Sequence, residues 1–283
     1  MSLLAKLRRI ALDRQGLLRN ESFGRGKRAT LRAIEQIGYV QIDTIAVVER
    51  AHHHVLWSRV PNYQPGMLER LVRERQVFEY WFHAAAWLPM SEYRFSLPRM
   101  RQMNGERNWF GDCDARLMRQ ILSRVEAEGP LRARDFDDDR EGSSGWWDWK
   151  PAKQALEQLF MQGELMVSAR DGFQKVYDLP ERVLPDWVDT RQPSQDEFAA
   201  HLIDTTLRAH GFATLVSMTY LRKGQKLREA VRHQLQQRIE DGLLMRRPLG
   251  KFEIYIDPEL LETRAPRSVA QVRILSPFDN LVT

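Results

Sequence analysis

Tyr39-Val40-Gln41-Ile42-Asp43-Thr44-Ile45 decides how the rest of the chain is read. Apolar Val40 and Ile42 alternate with polar Gln41 and Asp43, the period-two pattern of a strand with two unlike faces. On such a strand Gln41 and Asp43 project from one face, roughly 6–7 Å apart. A carboxylate and an amide held side by side can grip one water. The carboxylate accepts its proton, and the amide orients it or the electrophile it attacks. Gln-x-Asp also arises by chance on exposed strands, so its meaning rests on the surrounding chain.

That chain has 283 residues, enough for two or three compact units, and its 43% hydrophobic content can fill real cores. No apolar run is long enough to span a membrane. The basic N-terminus lacks the apolar core and cleavage site of a signal peptide. The single Cys113 excludes an internal disulfide and a cysteine-held iron–sulfur cluster. A cytoplasmic protein is expected. Net charge is only +5, yet nine basic residues fall between Lys6 and Arg32 against Asp13 and Glu21. A basic first segment on a nearly balanced remainder suggests contact with phosphates; a solvated helix face with a basic loop is the alternative.

Around the Gln41–Asp43 strand the pattern predicts a helix over residues 3–19, and a second helix capped by Thr30 and ended by Gly38. A segment through His52-His53-His54, a short helix over 66–75 and strands at 77–81 and 84–88 complete a winged-helix-like arrangement. The plan recurs. Helices are predicted over 116–128, 132–136 and 150–162, followed by a hairpin of 164–169 and 174–179 turned at Asp171-Gly172. It recurs again with helices over 195–210 and 226–241 and a hairpin of 243–246 and 251–257. Gly163-Glu164-Leu165-Met166 leading to Val176-Tyr177-Asp178-Leu179-Pro180 aligns with Gly242-Leu243-Leu244-Met245 leading to Ile254-Tyr255-Ile256-Asp257-Pro258. A period of roughly 80 residues implies tandem copies of one module. The fold expected is therefore mainly α with small β-hairpins, an α+β chain of tandem winged-helix modules over residues 1–110, 111–190 and 191–265.

Several stretches resemble the AlkZ/YcaQ-type winged-helix DNA glycosylases. Val40-Gln41-Ile42-Asp43-Thr44-Ile45 is similar to that family's Gln-Φ-Asp catalytic strand, Φ being aliphatic, in the form of its YcaQ-like branch. Leu56-Trp57-Ser58-Arg59-Val60-Pro61-Asn62-Tyr63, Glu79-Tyr80-Trp81-Phe82-His83-Ala84, Ser144-Gly145-Trp146-Trp147-Asp148-Trp149-Lys150-Pro151 and Leu275-Ser276-Pro277-Phe278-Asp279 resemble its flanking segments. The family continues into a C-terminal β-rich domain, of which residues 266–283 read as the start, cut short at Thr283. The resemblance implies a monofunctional DNA repair glycosylase that excises N7-alkylated purines and unhooks interstrand crosslinks. It would act as a monomer on double-stranded DNA in the bacterial nucleoid, with no cofactor and no membrane.

An N7-alkylated purine is cationic and already a good leaving group, so one carboxylate suffices where ordinary glycosidases use two. Asp43 is expected to deprotonate the attacking water and Gln41 to position it. Candidate DNA contacts are Arg59 and Tyr63 after the strand, His83 in the first wing, and Lys150 and Lys153 opening the second module's third helix. Trp146, Trp147 and Trp149 pack that helix or stack on bases. Three consecutive histidines at 52–54 cannot all face one metal, so none is expected. A winged-helix transcriptional regulator, or a non-catalytic DNA-binding protein, remains the alternative, because the fold more often reads operators than does chemistry.

Overall fold

Helix, short strand, helix, helix and then two strands: the chain runs through this order three times. The computed structural model describes residues 2–43, 46, 48–105, 113–136, 151–222, 224–267 and 272–282. Helix α1 (Leu3–Arg14) precedes the first round, which is α2 (Gly26–Ile37), β1 (Val40–Gln41), α3 (Ala51–Trp57), α4 (Pro65–Arg73), β2 (Val77–Trp81) and β3 (Ala85–Pro89). After α5 (Leu97–Gly105) comes the second: α6 (Ala115–Glu128), β4 (Leu131–Arg132), a 3-10 turn at Ala133–Phe136, α7 (Pro151–Gln162), β5 (Met166–Asp171) and β6 (Gln174–Asp178). Beyond α8 (Pro180–Val183) lies the third: α9 (Gln195–His210), β7 (Phe212–Ala213), α10 (Leu215–Met218), α11 (Gln225–Glu240), β8 (Met245–Leu249) and β9 (Phe252–Ile256), with α12 (Pro258–Glu262) after it. In each round the short first strand pairs antiparallel with the last one, β1 with β3, β4 with β6 and β7 with β9. The fold is α+β and mainly helical, as the sequence pattern implies.

Contacts divide the chain into two compact units, one of residues 1–68, 82–89 and 193–283, the other of 69–81 and 90–192. In the first unit Leu7 and Ile10 of α1 pack on Ile254 and Ile256 of β9. The opening helix therefore stands outside the first round and joins the third. It is also shorter than expected. Gly16, at φ +70°, turns the chain after Arg14, and Phe23 lies where a side chain at Gly16 would project. Leu17 and Leu18 are buried beyond the helix end. Helix α2 begins four residues before Thr30. Asn62 caps it, accepting from the Gly26 N–H at 2.8 Å, while Thr30 is buried inside with its hydroxyl bonded to the Gly26 carbonyl. The core of the third round gathers Leu202, Ile203, Val231 and Leu235.

In the second unit β2 carries Glu79, a buried carboxylate held by Arg170 of β5 at 2.7 and 2.9 Å. Tyr80, next along β2, donates its hydroxyl to the Met161 carbonyl at 2.7 Å. The helix expected over 132–136 is instead β4 with its 3-10 turn. Arg132 donates its backbone N–H to the Asp135 carboxylate, and that side-chain bond closes the turn. The β5–β6 loop is Gly172-Phe173, because Asp171 still pairs with Gln174 and Gly172 takes the positive φ of +60°.

Candidate active site

Strand β1 is short because only Val40 and Gln41 pair with Trp87 and Ala86. The Ile42 N–H extends the register by one bond, to the Ala85 carbonyl at 2.7 Å. Asp43 thus lies past the end of the strand, half-buried, two residues beyond the buried Gln41. A continuous strand over residues 39–45 is therefore corrected to this two-residue pairing; Thr44 and Ile45 lie outside the described residues.

Gln41 has a fixed orientation. Its Oε1 lies 3.0 Å from the His83 Nε2, and an amide oxygen only accepts, so Nε2 carries the hydrogen. The other ring nitrogen, Nδ1, is buried and has no partner among the described residues. Burial pushes the His83 pKa down, and the charge of Arg222 pushes it further the same way. Both effects favour the neutral form of the ring.

An aromatic wall surrounds this pair. Phe82 stacks on Tyr39 with ring centroids 4.4 Å apart, and His83 meets Tyr39 edge-on at 5.2 Å. Tyr220, from the turn before α11, also meets His83 edge-on, at 6.3 Å. Arg222 lies 5.2 Å over the Phe82 ring and 5.2 Å over Phe198 of α9. Phe82 is 36% and Tyr220 52% exposed, so solvent reaches the wall. The first round thus supplies β1 and the residues between β2 and β3, and the third supplies Tyr220, Arg222 and Phe198. Phe82 lies within the quoted wing stretch, yet only its neighbour His83 stood out in sequence. Tyr220 and Arg222 have no local signal, since their role comes from packing on His83 and Phe82, far away in sequence.

The remaining candidates fall elsewhere. Arg59 is 1% exposed, with its guanidinium bonded to Asp279 at 2.6 and 2.8 Å and to the Gln15 amide oxygen at 2.8 Å. It is a buried ion pair, and no phosphate reaches it in this arrangement. Tyr63 is also buried, its hydroxyl 2.6 Å from the His53 Nδ1. Lys153 is exposed on α7, whereas Lys150 and Trp146, Trp147 and Trp149 lie outside the described residues. Part of the basic first segment serves the fold. Arg19 pairs with Asp13 and Arg25 with Glu21, and Lys6 donates to the Leu261 and Thr263 carbonyls. Among the described residues no three His, Cys, Asp or Glu side chains are grouped to hold a metal ion, and no helix is long and apolar enough to cross a membrane.

The C-terminal segment braces the site from behind. Asn280 donates to the carbonyls of Ile37 and Tyr39, at 3.3 and 2.9 Å, immediately before β1. Arg273 donates to the carbonyls of Leu17, Ser58 and Arg19.

The architecture matches that of the Streptomyces sahachiroi DNA glycosylase AlkZ, with a TM-score of 0.66 and 17% sequence identity over 99% of this chain and 76% of that one. At that identity the likeness is one of fold. The sequence itself goes further: residues 34–283, a span holding Gln41, Asp43, His83 and Arg222, match the family model described as DNA glycosylase AlkZ-like. With nearly the whole chain covered, the protein belongs to the AlkZ-like DNA glycosylase family.

Proposed function

We propose that the protein hydrolyses the N-glycosidic bond of cationic N7-alkylated purines in duplex DNA, and unhooks interstrand crosslinks built from such bases. Asp43 takes the proton of a water that attacks the anomeric carbon. The C–N bond breaks as the C–O bond forms, and its electron pair neutralises the departing purine. The base leaves uncharged, so no side chain has to protonate it. Gln41 positions the water, and His83 holds the Gln41 amide in one orientation. Water as the nucleophile makes the enzyme monofunctional, with no covalent intermediate on the protein. Lys153 is a phosphate contact in this reading, and the exposed ring edges of Phe82 and Tyr220 face an extruded nucleotide.

The observation that carries the proposal is the 3.0 Å Gln41–His83 bond beside a half-buried Asp43 and a solvent-reached aromatic wall. A regulator reading an operator has no use for an amide locked against a half-buried histidine beside a carboxylate. The test is release of free base from a duplex carrying N7-methylguanine, with Asp43→Asn alongside. Asp43→Asn is expected to slow release about 10²- to 10⁴-fold while duplex affinity is kept. Equal release by both proteins would move the chemistry away from Asp43. No release by either, with binding retained, would leave a non-catalytic DNA-binding protein.

A further inference from the structure

We propose that Arg222 occupies, in the free protein, the seat over Phe82 that a cationic base takes in the complex, which makes the Arg222–Phe82 pair a determinant of lesion specificity. This rests on the reading above that the substrate base is cationic. The Arg222 guanidinium lies 5.2 Å from the Phe82 centroid, inside the range over which a cation is drawn to a ring face. Phe82 is already stacked on Tyr39 at 4.4 Å and 22°, so the platform is ordered before any base arrives. The next residue, His83, is the one bonded to Gln41. Whatever lies over Phe82 therefore lies beside the candidate catalytic amide.

A guanidinium and an N7-alkylated purine share the properties this seat selects. Both are planar, carry one delocalised positive charge, and are weakly hydrated for a cation. Two such cations repel each other over one ring, so Arg222 has to leave Phe82 as the base enters. Phe198 gives it somewhere to remain, because the same guanidinium already lies 5.2 Å over that ring. A neutral purine also displaces Arg222, but regains only stacking on Phe82, without the cation–ring attraction that was lost. The charged base regains both. Discrimination then arises at the seat, before the bond-breaking step, and adds to the chemical advantage of a cationic leaving group.

The test compares Arg222→Met, Phe82→Leu and the double variant in the full chain. Affinity is measured for three duplexes: undamaged, abasic (a tetrahydrofuran site), and carrying the 2′-fluoro analogue of N7-methylguanosine, whose base is retained during the measurement. Arg222→Met is expected to tighten binding of the N7-methylguanine duplex roughly threefold to thirtyfold, with little change for the other two. Phe82→Leu is expected to lower the preference for the damaged duplex and to remove the gain when the two changes are combined. An unchanged Kd in Arg222→Met, an equal weakening of all three duplexes, or a gain that survives Phe82→Leu each overturns the proposal. Base release from the unfluorinated duplex is followed in the same wild-type preparation. Its absence would refute the glycosylase reading, while the seat is judged from binding alone.

Discussion

Replacing Asp279 by Asn leaves the Arg59 charge in the interior with its anion gone. Both side chains of this pair are 0% exposed, and the guanidinium makes two bonds to the carboxylate, at 2.6 and 2.8 Å. Breaking a buried pair by removing one partner costs about 3–5 kcal/mol, because the surviving charge is neither solvated nor matched. For a compact unit of this size that lowers the melting temperature by roughly 6–20 °C. Asn280, the next residue, ties the C-terminal segment to the residues just before β1, so the first unit should melt early and base release should slow with it. The double variant Arg59→Met, Asp279→Leu separates charge from packing. It should recover all but about 1–3 kcal/mol, the residue being the buried Gln15 amide oxygen left without a donor. Circular-dichroism melts of the wild type, Asp279→Asn and the double variant supply the measurement. A loss below about 1 kcal/mol in Asp279→Asn, or a double variant no more stable than the single one, refutes the reasoning.

Three further outcomes are expected. His83→Phe keeps the ring packing but removes the donor to Gln41; single-turnover base release should fall about tenfold while the melting temperature stays nearly constant. Acid should destabilise the protein partly through His201, whose pKa burial, reinforced by Arg222 and Arg208, pushes down to about 3 from 6.5. The unfolded chain then binds the extra proton, so this contribution is fully present above pH 6.5 and is lost as pH falls toward 3. His201→Gln should flatten that part of a urea-stability profile against pH. Gly211→Ala puts a Cβ on a residue at φ +79°, 2.4 Å from the Ile10 Cγ2, and should cost about 2 kcal/mol in denaturant melts.

The elements most legible in sequence are those whose ends are set locally. Helix α9 runs over the expected residues because Ser194 and Glu197 close a capping box at one end and Gly211 turns left-handed at the other. The hairpins are legible for the same reason, and the Gly172 turn differs from expectation by one position. What the sequence withholds are ends set by distant residues. Thr30 resembles an N-cap, but Asn62, 36 residues on, caps Gly26 and lets the helix start earlier. The stripe of α1 is visible, yet nothing local says that it packs on β9.

The same distinction separates the two kinds of site residue. Gln41 and Asp43 are legible because their spacing lies within one short stretch. Arg59 reads as a surface DNA contact in sequence, two residues after a tryptophan, until Asp279, 220 residues away, is placed against it. Arg222 carries no sequence signal for the converse reason: its partners Phe82 and Phe198 are brought to it only by tertiary packing. The residues nearest Gln41 therefore come from both ends of one compact unit. Helix α1, Arg273, Asp279 and Asn280 tie those ends together. Loosening any of these ties should disturb the candidate site even though none of them lies in it, and the Asp279 variants are the most direct probe of that coupling.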